Sequence, residues 1–477
     1  MHGIKDKLKL KFKQLPIVRW VVVLTFWSII CGWTVYKVFD AYEPVKIAGL
    51  VFFCIGMTVF ALCFLAGLVL LIKMIIDGIK ALPDKRRFSA GVERKRNKKL
   101  SEKKPGKKIR VGFYVDAGQF FSTYADLYDS LKNDDRFETV MVTAPEMYKN
   151  EVYSNDAPEF LEKLGIPYVN LYENGSFKKL SSLNLDYCFY NRHYLARQPK
   201  QVSFLEARKD CRICYIAYAL CPQTGQVEST LCNFTEMRGF DYLFAENRLM
   251  ADIYEKYKMR IEGVNTKILP VGSPKFAYAM KHADKSASHD KKYVQSILYT
   301  PRWRFSENTS SFFLMKDYFF RLAEENKDIE YVFRPHPLMK QNVIETIGEE
   351  FWNEFADSFN KYENASMDTE LDYMDSFSRA SVLVSDVSTM MFEFATTGKP
   401  VIYMYRREIL NAFGKEAAKG YYVCSSPDEV DRVLKDLRNG KDEKAELRQE
   451  IAHSLYNYGD ADPSEQIKNI LLNGTEE

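Results

Sequence analysis

Ala380-Ser381-Val382-Leu383-Val384-Ser385-Asp386-Val387-Ser388-Thr389 decides how this chain is read. An apolar run ends in a cluster of small hydroxylated residues. A helical pattern, Met390 to Thr397, starts directly after it. A short, continuously apolar strand that feeds a helix is the repeating unit of a parallel sheet buried on both faces. The helix start offers unpaired N–H groups and the positive end of the macrodipole, and Ser and Thr add hydroxyl donors. A strand end of this kind suits an anion.

The same pattern recurs upstream. The run Ile329 to Phe333 ends in Arg334-Pro335-His336-Pro337. The two prolines hold their neighbours extended and delay any helix, which fixes His336 at the mouth of the strand. An imidazolium there can hydrogen-bond a departing phosphate near neutral pH. Ser296 to Thr300 runs into Pro301-Arg302-Trp303-Arg304, where Arg302 or Arg304 can grip phosphate with two N–H groups. Taken singly, these are also what a helix cap, a loop histidine or a surface arginine looks like. Two such strand ends facing one crevice hold a diphosphate, so the reading starts from phosphate chemistry. No Walker A sequence occurs, and no G-x-G-x-x-G follows the first strand. The reading includes no metal and no cofactor.

Outward from these motifs the chain divides into two similar halves. The first alternates short strands (Ile109 to Val115, Thr139 to Thr143, Tyr187 to Tyr190, Ile213 to Ile216, Tyr242 to Ala245) with helical stretches, and closes at Lys267 to Gly272. A polar stretch from Lys281 to Lys292 reads as a linker, after which the rhythm restarts. The expected organisation is a domain over residues 109–280 and another over 281–477, both Rossmann-like. In open sheets of this type ligands sit at the carboxyl ends of the strands, where every motif above lies.

Residues 1–84 are different in kind. Trp20 to Phe39 and Ile47 to Ile72 are apolar runs that meet the roughly 20-residue requirement for crossing a bilayer. Lys5, Lys7, Lys9, Lys11, Lys13 and Arg19 precede the first, and Lys73, Lys80, Lys85, Arg86 and Arg87 follow the second. Asp40-Ala41-Tyr42-Glu43-Pro44 separates them. The positive-inside rule then expects a membrane hairpin with both termini and the α/β domains in the cytoplasm. A buried helical hairpin in a soluble protein is the alternative. Residues 85–108 are basic, with Ser, Gly and Pro interspersed, and read as a solvated linker near anionic headgroups. The run lacks interleaved aromatics, which argues against nucleic acid as a partner. The chain carries nine cysteines, and only Cys211-Arg212-Ile213-Cys214 has redox or zinc spacing. No matching second pair follows it, so core thiols in a reducing compartment are expected.

Several pieces together resemble the CDP-glycerol glycerophosphotransferase family, the teichoic-acid primases and polymerases of Gram-positive bacteria. They are Gly272-Ser273-Pro274, Leu298 to Arg304, Arg334-Pro335-His336-Pro337, Ser385 to Thr389 with Phe392-Glu393-Phe394, Lys399 to Ile402, and Gly459 to Glu465. They recur in the family's order over about the second half of the chain. The resemblance implies a GT-B fold with the nucleotide held by the second domain. It implies that an acceptor hydroxyl attacks the β-phosphorus of CDP-glycerol and that CMP leaves. His336 would stabilise or protonate the departing phosphate. Ser385, Ser388, Thr389, Arg302, Arg304 and Arg334 would hold the diphosphate. The partners implied are CDP-glycerol, a lipid-linked glycan or teichoic-acid precursor, and the bilayer. One departure stands out. The family's polymerases carry a His-Gly pair in the first domain as the base for the acceptor, and Tyr218 occupies that position here. Tyrosine ionises near pH ~10 and is a poor base at neutrality. Asp116 and His193, which also follow first-domain strands, are the other candidates. A GT-B glycosyltransferase using a nucleotide sugar, and an inactive membrane scaffold, are the rival expectations.

Overall fold

The structure is a computed structural model. It describes residue 96 and residues 106–148, 151–220, 222–224, 233–261, 264–282, 294–370, 372–456 and 462–473. The two apolar runs at 20–39 and 47–72 lie outside the described residues. Among the described residues no helix is long and apolar enough to cross a membrane.

The first lobe is built on β1 (Ile109–Val115), β2 (Phe137–Thr143), the hairpin β3 (Glu146–Tyr148) and β4 (Glu151–Ser154), β5 (Tyr168–Asn170), the small hairpin β6 (Tyr172–Glu173) and β7 (Ser176–Phe177), β8 (Tyr187–Tyr190), β9 (Arg212–Ile216), β10 (Tyr242–Ala245) and β11 (Lys267–Pro270). Its main sheet runs β11-β10-β9-β8-β1-β2-β5 and every pairing is parallel. The second lobe holds β12 (Ser296–Thr300), β13 (Glu330–Phe333), β14 (Ala365–Met367), β15 (Val382–Ser385), β16 (Val401–Met404) and β17 (Tyr422–Cys424). These order as β14-β13-β12-β15-β16-β17, again all parallel. The central strands β8, β12, β15 and β16 are buried at every position, which is why their sequences are unbroken apolar runs rather than alternating ones.

The helices that matter below are α1 (Ala125–Lys132), α2 (Pro274–His282), α3 (Phe312–Glu325), α4 (Thr389–Ala395) and α5 (Pro463–Asn473). The expected boundary near residue 280 gives everything after it to the second lobe. The last helix departs from this. Ile467 and Leu471 of α5 are buried in the first-lobe core with Leu127, Leu131 and Phe189. Ser464 Oγ donates to Asp126 at 2.6 Å, and Lys281 Nζ bridges Asp126 and Asp462 at 2.5 and 2.8 Å. Lys281 therefore belongs to α2 and to this clamp, not to a linker. Arg96 is a second departure from the expected solvated linker. It is buried, and its guanidinium donates to both oxygens of Asp241 at 2.7 and 3.0 Å. Asp241 also accepts from Ile213 N at 2.8 Å, so its carboxylate is held in place to take a two-pronged partner. Cys188, Cys211, Cys214 and Cys424 are free and buried.

The turn into α2 has a strict steric requirement. Gly272 has φ +93°, and a Cβ there would lie 2.7 Å from the Pro463 ring that starts α5. Both the backbone region and the close approach demand glycine. Gly272→Ala is expected to lower stability by about 2 kcal/mol in urea melts, through strain at the turn and displacement of α5.

Candidate active site

Three strand ends lie side by side at one edge of the second sheet. β12 is flanked by β13 and β15, so the loops after Thr300, Phe333 and Ser385 emerge next to one another. With strands ~4.8 Å apart, the outer two ends lie within about 10 Å. Two contacts join the loops. Asp386 is fully buried, and its carboxylate accepts from Arg302 N at 2.7 Å and Ser311 N at 2.8 Å. This bond pair ties the end of β15 to both ends of the loop that leads from β12 into α3. In the other direction, Trp303 stacks on His336, with ring centroids 5.4 Å apart and an interplanar angle of 22°. The motifs that were separate in sequence thus form one surface.

The arginines of this surface are not equivalent. Arg302 pairs with Glu307 through Nε (2.9 Å) and Nη2 (2.8 Å), and Arg304 reaches the other oxygen of Glu307 at 3.1 Å. Arg304 also lies over the Trp303 ring, 4.6 Å from its centroid. One carboxylate therefore faces two guanidinium groups, and the pair keeps a surplus positive charge beside His336. Arg334 is committed elsewhere. It donates to the Asp368 carboxylate and to the Glu370 carbonyl.

His336 itself differs from the imidazolium expected from the sequence. Leu338 N donates to His336 Nδ1 at 3.1 Å, so Nδ1 is an acceptor and the proton of the neutral ring sits on Nε2. Its pKa is lowered to about 4 by the protein crowding the ring, with Arg302 and Arg304 adding like-charge repulsion. His336 nevertheless lies exposed at the surface. At neutral pH it is a neutral Nε2–H donor.

The hydroxyl residues also divide. Ser385 is fully buried, accepts from Thr300 Oγ1 at 2.7 Å and lies 3.0 Å from the Thr300 carbonyl, so it fastens β15 to β12. Ser388 is the N-cap of α4, and its side chain makes no cap bond to the helix. It lies 3.2 Å from Ser385 Oγ and remains accessible in part. Thr389 Oγ1 donates across to the Leu220 carbonyl of the first lobe at 3.0 Å.

Across the lobes, Lys275 of α2 forms a bond that the sequence hid. Its Nζ pairs with Glu393 at 2.8 Å and donates to the Tyr218 carbonyl at 2.9 Å. Tyr373 donates to the same Glu393 at 2.6 Å, and all three side chains are largely buried. In the sequence Gly272-Ser273-Pro274 stands only as one piece of a family resemblance, and Glu393 as part of a helical pattern. Lys275 and Glu393 are 118 positions apart, and no local pattern links them. The loop after β9 that carries Tyr218 is thereby fixed against the second lobe.

The first-lobe candidates occupy three different environments. Asp116, after β1, is buried and ion-paired to Arg192 at 2.5 Å. Burial nonetheless pushes its pKa up from the ordinary value. Arg192 continues to Glu146 at 3.1 Å, and Glu146 to Arg197 at 3.3 Å. His193 is 1% exposed, and neither ring nitrogen has a hydrogen-bond partner. Burial lowers its pKa to about 4, so it is neutral. Tyr218 is partly exposed. Its hydroxyl lies 3.4 Å from that of Tyr194, and its ring packs edge-on against Phe120 at 4.9 Å. His193 packs on the Tyr194 ring at 4.6 Å, and of the three candidates Tyr218 alone is partly open to solvent. No group of three or more His, Cys, Asp or Glu side chains suited to a metal ion occurs among the described residues.

Two parallel-sheet lobes joined by buried inter-lobe contacts, with charged strand-end loops on the second, define the GT-B class of fold. Residues 221–473 match the model of the CDP-Glycerol:Poly(glycerophosphate) glycerophosphotransferase family, a little more than half of the chain. The chain belongs to that family, and it is an enzyme of the glycerophosphotransferase type. No curated protein matches it. Among solved structures it is similar to the wall teichoic acid polymerase TagF, with TM-score 0.50 and 14% identity, covering 83% of this chain and 97% of that one. It is also similar to a UDP-N-acetylglucosamine 2-epimerase-type protein from Listeria monocytogenes, with TM-score 0.51 and 14% identity, covering 77% and 98%. At these identities the likeness is one of fold.

Two measurements check the electrostatics. In ¹⁵N spectra of histidine-labelled protein, the resonance lost in His336→Gln is expected to keep the neutral, Nε2-protonated pattern from pH 8 down to pH 5. Titration near pH 6.5 would contradict it. Asp386 is pushed up to about 7 by burial. The folded state then holds a proton that the unfolded state releases above pH ~4, so this stability is present at low pH and lost as pH rises through about 7. Asp386→Asn is expected to lose less stability than the unsubstituted protein between pH 5 and 8 in paired urea melts.

Proposed function

We propose that this enzyme transfers glycerol phosphate, or a related polyol phosphate, from CDP-glycerol to a lipid-linked cell-envelope glycan or teichoic-acid precursor at the cytoplasmic face of a membrane. The observation that carries the reading is the join of three strand ends through Asp386 and the Trp303–His336 stack. It supports a diphosphate seated against Arg302, Arg304, Ser388 and the N-terminal turn of α4. Family membership supports CDP-glycerol as the donor. The two apolar runs of the sequence support anchoring in a bilayer.

In this reading the acceptor hydroxyl oxygen bonds to the β-phosphorus while the bond from that phosphorus to the CMP oxygen breaks. Negative charge grows on the CMP phosphate. The neutral His336 donates an Nε2–H to it, and the surplus charge of Arg302 and Arg304 stabilises it further. Arg334, held by Asp368, positions the His336 loop. Ser385 and Asp386 are frame, not ligands. The acceptor proton passes to a group in the first lobe. Tyr218 orients the hydroxyl there, and Asp116 and His193 serve only if the buried cluster opens to substrate. Catalysis then rests mainly on orientation and charge stabilisation.

Purified protein given CDP-glycerol and a lipid-linked acceptor is expected to release CMP. His336→Ala should slow release by about 100-fold or more, with donor binding nearly kept. No CMP from either protein would remove the donor assignment. Thermal shifts with CDP-, UDP- and CMP-linked donors separate this reading from a nucleotide-sugar transferase, because a bound donor raises the melting point by mass action.

A further inference from the structure

The loop after β9 passes from one lobe to the other between Tyr218 and Leu220. Tyr218 is fastened to the first lobe. Its N donates to the Asn191 carbonyl at 3.2 Å, its carbonyl accepts from Lys275 Nζ at 2.9 Å, and its ring packs on Phe120. Leu220, Pro222, Gln223 and Thr224 form a strap fastened to the second lobe. The Leu220 carbonyl accepts from Thr389 Oγ1 at 3.0 Å, and the Pro222 carbonyl from Asn411 N at 2.6 Å. Thr224 N donates to the Ile409 carbonyl at 2.8 Å, and Thr224 Oγ1 reaches the same oxygen at 3.2 Å. Gln223 and Leu410 face each other between these bonds as an antiparallel bridge. A Cβ at Gly414, in the helix Ala412–Ala418, would press on the Pro222 carbonyl oxygen at 3.0 Å.

The span between the two sets of bonds has no slack. Only Ala219 separates Tyr218 from Leu220, and an extended residue reaches at most ~3.6 Å. The lobes cannot shift against one another by much more than that without pulling at Tyr218 or stripping the strap from the second lobe. The bonds from Thr224 to Ile409 and from Asn411 to Pro222 bracket one residue pair, as in an antiparallel ladder, so they fix the direction of the strap as well as its place. Lys275 adds to this. The ammonium that holds the Tyr218 carbonyl is itself held by Glu393 of the second lobe at 2.8 Å. Tyr218 thus sits in the first lobe and is tied to the second from both the strap and Lys275.

We propose that the second lobe positions Tyr218 for the reaction, with Thr224 and Lys275 as positioning residues that hold it in place only while the lobes are together. That Tyr218 faces the acceptor hydroxyl rests on the transferase reading above; that the second lobe fixes its place does not. In that reading the donor diphosphate is seated on the second lobe, and attack on it needs the acceptor oxygen aligned at about 3–3.5 Å. A first-lobe residue that takes its position from the second lobe is in register with the donor only when both halves of the site are assembled. Parting the lobes frees the strap, and Tyr218 then loses that register.

The test uses the full chain and amide hydrogen exchange resolved to single residues. Asn411 N, which donates to Pro222, reports whether the strap is docked; Tyr218 N, which donates to Asn191 inside the first lobe, reports whether Tyr218 is held. Thr224→Pro removes the N–H and the hydroxyl that bond Ile409, and it suits the extended Gln223 before it. Thr224→Val keeps the N–H. Gly414→Val presses on the Pro222 carbonyl from the second lobe and touches nothing near Tyr218. In Thr224→Pro and in Gly414→Val, exchange at both amides is expected to rise about tenfold, with Thr224→Val close to the unsubstituted protein. With CDP-glycerol saturating and a synthetic prenyl-linked glycerol phosphate as acceptor, the same two variants should raise the acceptor KM about fivefold while the CDP-glycerol thermal shift stays unchanged, and Thr224→Val should restore the KM. The proposal is overturned if Tyr218 keeps its protection in both variants, if Thr224→Val behaves like Thr224→Pro, or if the variants lose the CDP-glycerol shift and leave the acceptor KM alone. Coupled exchange at the two amides, with no CMP released by any of these proteins, would leave the strap standing and remove the donor assignment.

Discussion

The second lobe depends on one buried carboxylate. Asp386 takes two backbone N–H bonds from the loop between β12 and α3, and among the described residues no cation lies within bonding distance to share its charge. Burial makes this acid costly to ionise, and the bonds it accepts offset that only in part, which is the reason its pKa climbs. The arrangement is retained because those amides belong to Arg302 and Ser311. Between them lie Trp303, which stacks on His336, and Arg304 with its partner Glu307. Remove the carboxylate and the loop loses its double tie to the end of β15, and the imidazole loses the aromatic surface beneath it.

Charge balance then separates structural from chemical groups. Arg334 is neutralised by Asp368, Arg192 by Asp116 and Glu146, and Arg448 by Asp442. Arg302 and Arg304 share one carboxylate, Glu307. An excess cation beside a neutral imidazole is a place where added negative charge is stabilised.

The fold is largely legible in the sequence because buried parallel strands write continuous apolar runs. Val382 to Val384 and Tyr187 to Tyr190 could hardly be anything else. The convergence of Arg302, His336 and Ser388 is also legible, since all three follow strands and parallel sheets bring strand ends to one edge. What cannot be read is pairing over long separation. Lys275 with Glu393, Arg96 with Asp241 and Gly272 against Pro463 each depend on how the lobes pack, and local pattern carries no trace of that. The protonation state of His336 escapes the sequence for a related reason. Its lowered pKa comes from the loop packed around it and from Arg302 and Arg304, which stand 34 and 32 positions away along the chain. The structural role of Ser385 is equally hidden, because a hydroxyl at a strand end looks the same whether it faces a ligand or the neighbouring strand.

Helix α5 has a mechanical implication. Because the chain returns to the first lobe at Pro463, the second lobe is connected through two crossings, one after His282 and one before Pro463. Any separation of the lobes has to break Lys275–Glu393 and Thr389–Leu220 together, and it leaves α5 behind on the first lobe.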